Sequence, residues 1–180
     1  MKGTTHRLLG ASSGVALGAA AGWPWPQIVA AGWLATLTAS GSTSPDLDQH
    51  KLWYLLDRVL PDEWLGRNGP LQHRGVSHWW GVPASLGVLA WSTVPPRYLW
   101  LAAALLAGWT SHLVGDWLFG RPGQGRGAGI PFAPWWNHRG LGLAVGGLLE
   151  RVVAVLLPFV MLGQGYLVLR GLAAARAAAH

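Results

Sequence analysis

One stretch limits what this chain can become. Tyr98 to Phe119 (YLWLAAALLAGWTSHLVGDWLF) runs for 22 residues without a proline and is apolar except near its end. About 20 residues at ~1.5 Å each span the ~30 Å of a bilayer core, so the stretch is long enough to cross a membrane as a helix. Its last third nevertheless carries His112 and Asp116. At i and i+4 they share one helical face, a turn apart. An ionisable side chain inside a span costs a few kcal/mol, so it faces a partner, an ion or a water-filled cavity.

Composition points the same way. The chain is 51% hydrophobic and 11% charged, where soluble domains average roughly 25% charged. Its 26 Gly and 13 Trp suit close-packed membrane helices with interfacial aromatic belts. At 180 residues it is expected to form one membrane-embedded domain over 1–180. There is no cysteine, which excludes disulfides and thiolate ligands and leaves any metal to His and carboxylate donors. A net charge of +6 invites a nucleic-acid reading, but the basic residues form no run or stripe, so nucleic acid is not expected as a partner.

The pattern predicts an all-α, polytopic bundle of about five transmembrane helices. The first is Leu8 to Gly22, after the basic head Met1 to Arg7. A secretory signal ending at Ala19-Ala20-Ala21 is the competing reading of that segment. Gln27 to Gly41 follows across a Trp-Pro-Trp-Pro turn, as the second arm of a hairpin. Trp79 to Val94 is the third span, Tyr98 to Phe119 the fourth and Val152 to Leu169 the fifth, with an Ala-rich tail that prolongs the last. Polar loops occupy 42–78 and 120–140; the first contains a candidate surface helix, Leu52 to Leu60, and Ile130 to Trp136 reads as interfacial.

With five spans, one side receives the head and both polar loops, with Lys2, Arg7, Lys51, Arg58, Arg67, Arg74, Arg121, Arg126 and Arg139. The other receives Arg97, Arg170 and Arg176. Nine against three places the first side in the cytoplasm. The same assignment gathers His6, Asp46, Asp48, His73 and His78 on that side, at the end of the fourth span where His112 and Asp116 lie.

Each of these residues has an ordinary explanation. Asp46 and Asp48, in Ser-Pro-Asp-Leu-Asp-Gln, fit a pair of hard oxygen ligands or a helix cap with an Asx turn. His73 and His78, in His-Arg-Gly-Val-Ser-His, fit metal ligands or interfacial hydrogen-bonding histidines. His112 and Asp116 could bond only each other, yet Thr110, Ser111 and Gly115 keep their surroundings small and polar. Together, on one membrane face, these groups are better explained by a metal centre than by separate accidents. His138, in Asn-His-Arg-Gly, lies on the same side and is a weaker candidate, while His50 and His180 read as surface residues.

Four motifs in order carry a resemblance: Thr-His-Arg near the start, Ser-Pro-Asp-Leu-Asp after the second span, His-Arg-Gly-x-x-His, and Ser-His-Leu-x-x-Asp in a late helix. Over roughly residues 4 to 136 the chain resembles the YdjM-like membrane-bound metal-dependent hydrolases. The ligand order is also similar to that of the zinc-dependent phospholipase C and P1 nuclease group. That similarity implies Asp46 or Asp48, His73 or His78, His112 and Asp116 as ligands of one ion, and Asp116 bridging to a second ion that His6 helps to hold. The group's later His-x-x-x-Glu element is missing: His138 is followed at i+4 by Gly142, and Glu150 lies too far along. One or two divalent ions are therefore expected, zinc first and manganese or iron next.

The sequence thus reads as an inner-membrane, multi-pass hydrolase whose site faces the cytoplasm. A phosphate ester, such as a phospholipid or lipid-linked phosphate, is the expected substrate class. Whichever of Asp46 and Asp48 is not a ligand is the expected proton acceptor. Arg74, with Arg139 as an accessory, would hold phosphate through forked hydrogen bonds. A divalent-metal transporter and a scaffold with a structural metal are the alternatives.

Overall fold

A computed structural model describes residues 3–41, 43–46, 59, 61, 75–119, 130–133, 136–139, 141 and 143–178. Five α-helices are seen among the described residues: α1 (Gly3–Ala20), α2 (Trp25–Ala39), α3 (Gly81–Thr93), α4 (Leu99–Leu118) and α5 (Leu148–Ala178). Single 3-10 turns at Val76–His78 and Pro96–Tyr98 lead into α3 and α4. The architecture is helical, as expected, with one departure. The segment read as interfacial forms an antiparallel hairpin of β1 (Ile130–Ala133) and β2 (Trp136–Arg139), with Ile130 opposite Arg139 and Pro131 opposite His138. The candidate helix Leu52 to Leu60 and the loop 120–129 lie outside the described residues.

The α1–α2 hairpin is closed by local chemistry. Trp23 N–H bonds Gly18 C=O at 3.0 Å and Gly22 N–H bonds Ala19 C=O at 3.2 Å, with Gly22 at φ +66°. This is a Schellman ending, which needs a residue without a Cβ penalty at that position. Pro24 and Pro26 then stop one helix and start the next, where a missing N–H costs nothing.

Small residues at four-residue spacing bring the helices into backbone contact. Gly10, Gly14 and Gly18 on α1 face Ala39, Ala35, Ala31 and Ile28 on α2. A Cβ on Gly14 would overlap the Ala31 carbonyl, and one on Gly108 of α4 would overlap both the Ala35 carbonyl and Thr38 Oγ1. Ala35 is therefore where α1, α2 and α4 meet, and it is fully buried. Such small-residue seams are how helices associate where lipid removes the hydrophobic drive. Thr38 Oγ1 donates to Leu105 C=O across the α2–α4 contact at 2.5 Å. Outside this core, α3 packs on α4 and α5 packs on α1, the latter with Ser12 Oγ donating to Gln164 Oε1 at 3.3 Å.

The outer surface is apolar. Val29 and Trp33 on α2, Val88 and Trp91 on α3, and Val155, Phe159 and Leu162 on α5 are all exposed. Two segments are long and apolar enough to cross a membrane: Pro96–Leu118 at mean hydropathy 1.2 and Leu148–Gly171 at 2.2, the latter with 6% of its apolar window buried. The expected fourth and fifth spans correspond to these two. The other three expected spans form helices of 18, 15 and 13 residues, shorter than the ~20 that cross a bilayer core without tilt or local thinning.

Candidate metal centre

Four elements converge at one end of the bundle. Helix α2 ends at Ala39, and the chain turns through Gly41, whose φ is +101°. Ser44 locks this turn: its N–H and Oγ both bond Gly41 C=O, at 3.1 and 2.7 Å, and its Oγ accepts from Asp46 N–H at 3.3 Å. The turn fixes Asp46. His78 closes the 3-10 turn that precedes α3, with Nδ1 3.1 Å from Ser77 Oγ, while Ser77 C=O accepts from Trp109 Nε1 of α4 at 3.2 Å. His112 and Asp116 stand one turn apart on α4, and His6 comes from the start of α1.

The donor atoms meet in a small space. His78 Nε2 lies 3.3 Å from Asp46 Oδ1, 3.4 Å from Asp116 Oδ2 and 3.3 Å from His112 Nε2. His112 Nε2 lies 3.5 Å from Asp116 Oδ2 and 3.7 Å from Asp46 Oδ1. One donor atom from each of these four residues falls within 4.8 Å of all the others, so the group could hold a metal ion. The spacing fits that role. Four bonds of ~2.05 Å arranged as a tetrahedron set donor–donor edges of ~3.3 Å, and five of the edges here measure 3.3 to 3.7 Å.

The surroundings fit too. His112 Nδ1 is 2.8 Å from Ala39 C=O, a carbonyl left without an intrahelical partner because α2 ends there. A donating Nδ1–H leaves Nε2 with its lone pair toward the cluster, the arrangement that orients metal-binding imidazoles. His78, His112 and Asp116 are buried, whereas the Asp46 side chain is 29% exposed and forms the open edge. Burial alone would raise the Asp46 pKa, but hydrogen bonds from His112 and His78, and their charge, outweigh it and hold the carboxyl well below the usual range. Within the cluster the two carboxylates pair with imidazole protons. A divalent cation would displace those protons and take up all four donors.

His6 occupies a different position from the four. Its Nε2 reaches the other oxygen of Asp116, Oδ1, at 3.3 Å, and its ring stacks on His112 at 4.0 Å between centroids. Buried Nδ1 of His6 has no hydrogen-bond partner among the described residues. Of the sequence candidates, the structure brings together His6, Asp46, His78, His112 and Asp116. Asp48, His73, Arg74, His50 and His180 lie outside the described residues. For His138 and Arg139 only the strand backbone is described. Sequence reasoning did not identify the Ala39 carbonyl or Ser77. A backbone acceptor carries no residue signature, and the serine beside His78 is legible only once its neighbour is known to be a donor.

A helical bundle with an apolar outer surface and a buried His/Asp cluster at one end defines a class: membrane proteins with a candidate metal centre at a helix-bundle end. Within it, the chain belongs to the YdjM inner membrane protein family, whose model matches residues 1–178. No curated protein and no solved structure matches the chain.

Proposed function

We propose that this protein is a multi-pass inner-membrane hydrolase that uses one or two divalent ions, zinc first among them, to cleave a phosphate ester such as a phospholipid or lipid-linked phosphate. The reading rests on one observation: four donors from three separate elements converge at tetrahedral spacing, one of them the partly exposed carboxylate of Asp46. When bound, the ion would supply Lewis-acid activation of water and of a phosphoryl oxygen. His78, His112 and Asp116 would hold it rigidly from buried positions, and Asp46 would complete the set at the edge where substrate enters. With Asp46 in the cluster, Asp48 takes the role of proton acceptor, and Arg74, with Arg139, that of phosphate holder. His6 would steer the second oxygen of Asp116 and is the residue available to a second ion.

In this reading all five long helices cross the bilayer, the three shorter ones with local thinning. The cluster faces the cytoplasm, since Arg151 at the start of α5 joins the nine basic residues of that side. Reporter fusions after Arg67 and after Arg126 are then expected to report cytoplasm, and an extracytoplasmic signal at either place would dismantle this assignment. A retained α1, with mature protein beginning at or near Met1, is the expectation for intact mass.

A second reading has its own support. Three of the four donors are almost wholly buried, as in structural metal sites. The two readings separate in one experiment: metal analysis of purified protein, followed by phosphomonoester and phosphodiester hydrolysis assays on wild type and Asp116→Ala. Hydrolysis that disappears with the metal supports the enzyme. Stoichiometric metal without hydrolysis of either ester class supports the structural reading.

A further inference from the structure

The end of the bundle away from the His/Asp cluster holds a cleft of about 470 Å³ between the α1–α2 turn and the α3–α4 turn. Its walls are apolar, with Trp23 and Trp100 packed edge to face at 6.1 Å. Two polar side chains stand among the lining residues, Gln27 and Arg97. Arg97 is exposed, and its guanidinium lies over the Tyr98 ring at 4.8 Å from the centroid. From there the cleft follows α4 down to Leu106, about 13 Å along the axis. It is thus polar and aromatic at its mouth and wholly apolar below, which is the polarity profile of a lipid.

The charge at the mouth asks for an anion. No Asp or Glu occurs between Gly3 and Ala39 or between Val76 and Gly115, so α1 to α3 and all but the last turn of α4 offer Arg97 no carboxylate. None of the cleft-lining residues is acidic. A cation at the headgroup level of a membrane, with no carboxylate in the described helices around it, attracts an anionic lipid head. A guanidinium makes forked hydrogen bonds to phosphate, and interfacial Trp rings sit at the same depth.

We infer that this cleft binds one anionic phospholipid, its phosphate on Arg97 and one acyl chain lying against Gly87 and Leu106. The inference rests on the bilayer placement proposed above and is independent of hydrolysis at the other end. The lipid would join the α1–α2 turn to the α3–α4 turn, whose residues line the cleft together.

The test uses full-length protein in mild detergent with an equimolar mixture of palmitoyl-oleoyl phosphatidylglycerol and the corresponding phosphatidylcholine, read by native mass spectrometry. Wild type is expected to retain one phosphatidylglycerol in preference to phosphatidylcholine. Arg97→Gln should lower that preference about fivefold, and Arg97→Lys should keep most of it. Gly87→Leu should lower retention of both lipids: a Cβ at Gly87 meets only Leu106 Cδ1, at 3.6 Å, so the larger side chain enters the cleft without striking backbone. Bound metal, about 20 Å away, should stay at the wild-type level in all three variants and reports that they are folded. An unchanged preference in Arg97→Gln, a preference lost equally in Arg97→Lys, or full lipid retention in Gly87→Leu would overturn the inference. Metal absent from wild type as well would count against the proposed hydrolase and leave the lipid result standing.

Discussion

The two ends of the bundle are opposite in what they lack. At one end Asp46 and Asp116 meet His78 and His112 in a cluster that is mostly buried and could hold a metal ion. At the other, Arg97 sits over an apolar, Trp-lined cleft with no carboxylate in the surrounding helices. Both arise from the same economy of charge. In a chain that is 11% charged, an ionisable side chain near the membrane interior needs a partner, an ion or water. In the proposed reading, one end takes a cation on protein donors and the other takes a lipid phosphate on Arg97.

Between the ends runs a seam of Gly and Ala that keeps them in register. Its role can be separated from theirs by substitution. The largest expected effect is at the cluster: Asp116→Ala should reduce bound metal from about one ion per chain to a trace, measured by elemental analysis, since it removes a charged donor from every edge it shares. Lipid preference at the far end should not change. Metal retained at the wild-type level would place the site elsewhere.

Next comes the seam. Gly108→Val forces side-chain atoms into the Ala35 carbonyl and Thr38, so it should cost about 3 kcal/mol in a denaturant titration and impair both ends together. Gly163→Val on α5, where a Cβ meets nothing, is the control and should be near neutral. Equal stability of the two variants would show that the close approach of α2 and α4 is not what holds the bundle.

Smaller still is the effect of Ser77→Ala. Ser77 Oγ lies 3.1 Å from His78 Nδ1 and orients that ring without touching an ion. Its removal should weaken metal affinity about tenfold, read by competition with a chelator of known strength, while stoichiometry at saturation is unchanged. The smallest effect is expected from Arg97→Gln on the cluster: no change in metal content, because about 20 Å of helix separates the two. A metal loss there would break the independence of the ends.

How much of this was legible in the chain follows from how each signal is encoded. His112 and Asp116 stood out because a charged pair at i, i+4 inside an apolar helix has few explanations, and the structure turns both inward. The candidate donors in the loops were legible only as pairs. Asp46 or Asp48, and His73 or His78, differ by turn geometry, and it takes the Gly41–Ser44 lock and the 3-10 turn before α3 to aim Asp46 and His78. The Pro95-Pro96 break and the α1–α2 hairpin were read from their prolines and are present. The β1–β2 hairpin was not read, because IPFAPWW has two prolines and no alternation of apolar and polar residues. Nor was the Gly10-Gly14 seam, since glycine spacing alone does not say which helix it meets.

The central claim is that Asp46, His78, His112 and Asp116 hold one divalent ion between them. X-ray absorption at the edge of the metal that co-purifies tests it most directly. The account predicts about one ion per chain, with imidazole scattering from two histidines and light-atom neighbours at ~2.0–2.1 Å. That imidazole signal should fall by half in His112→Ala wherever metal is still bound. A stoichiometric ion with no imidazole among its neighbours, or a spectrum indifferent to His112→Ala, would contradict it.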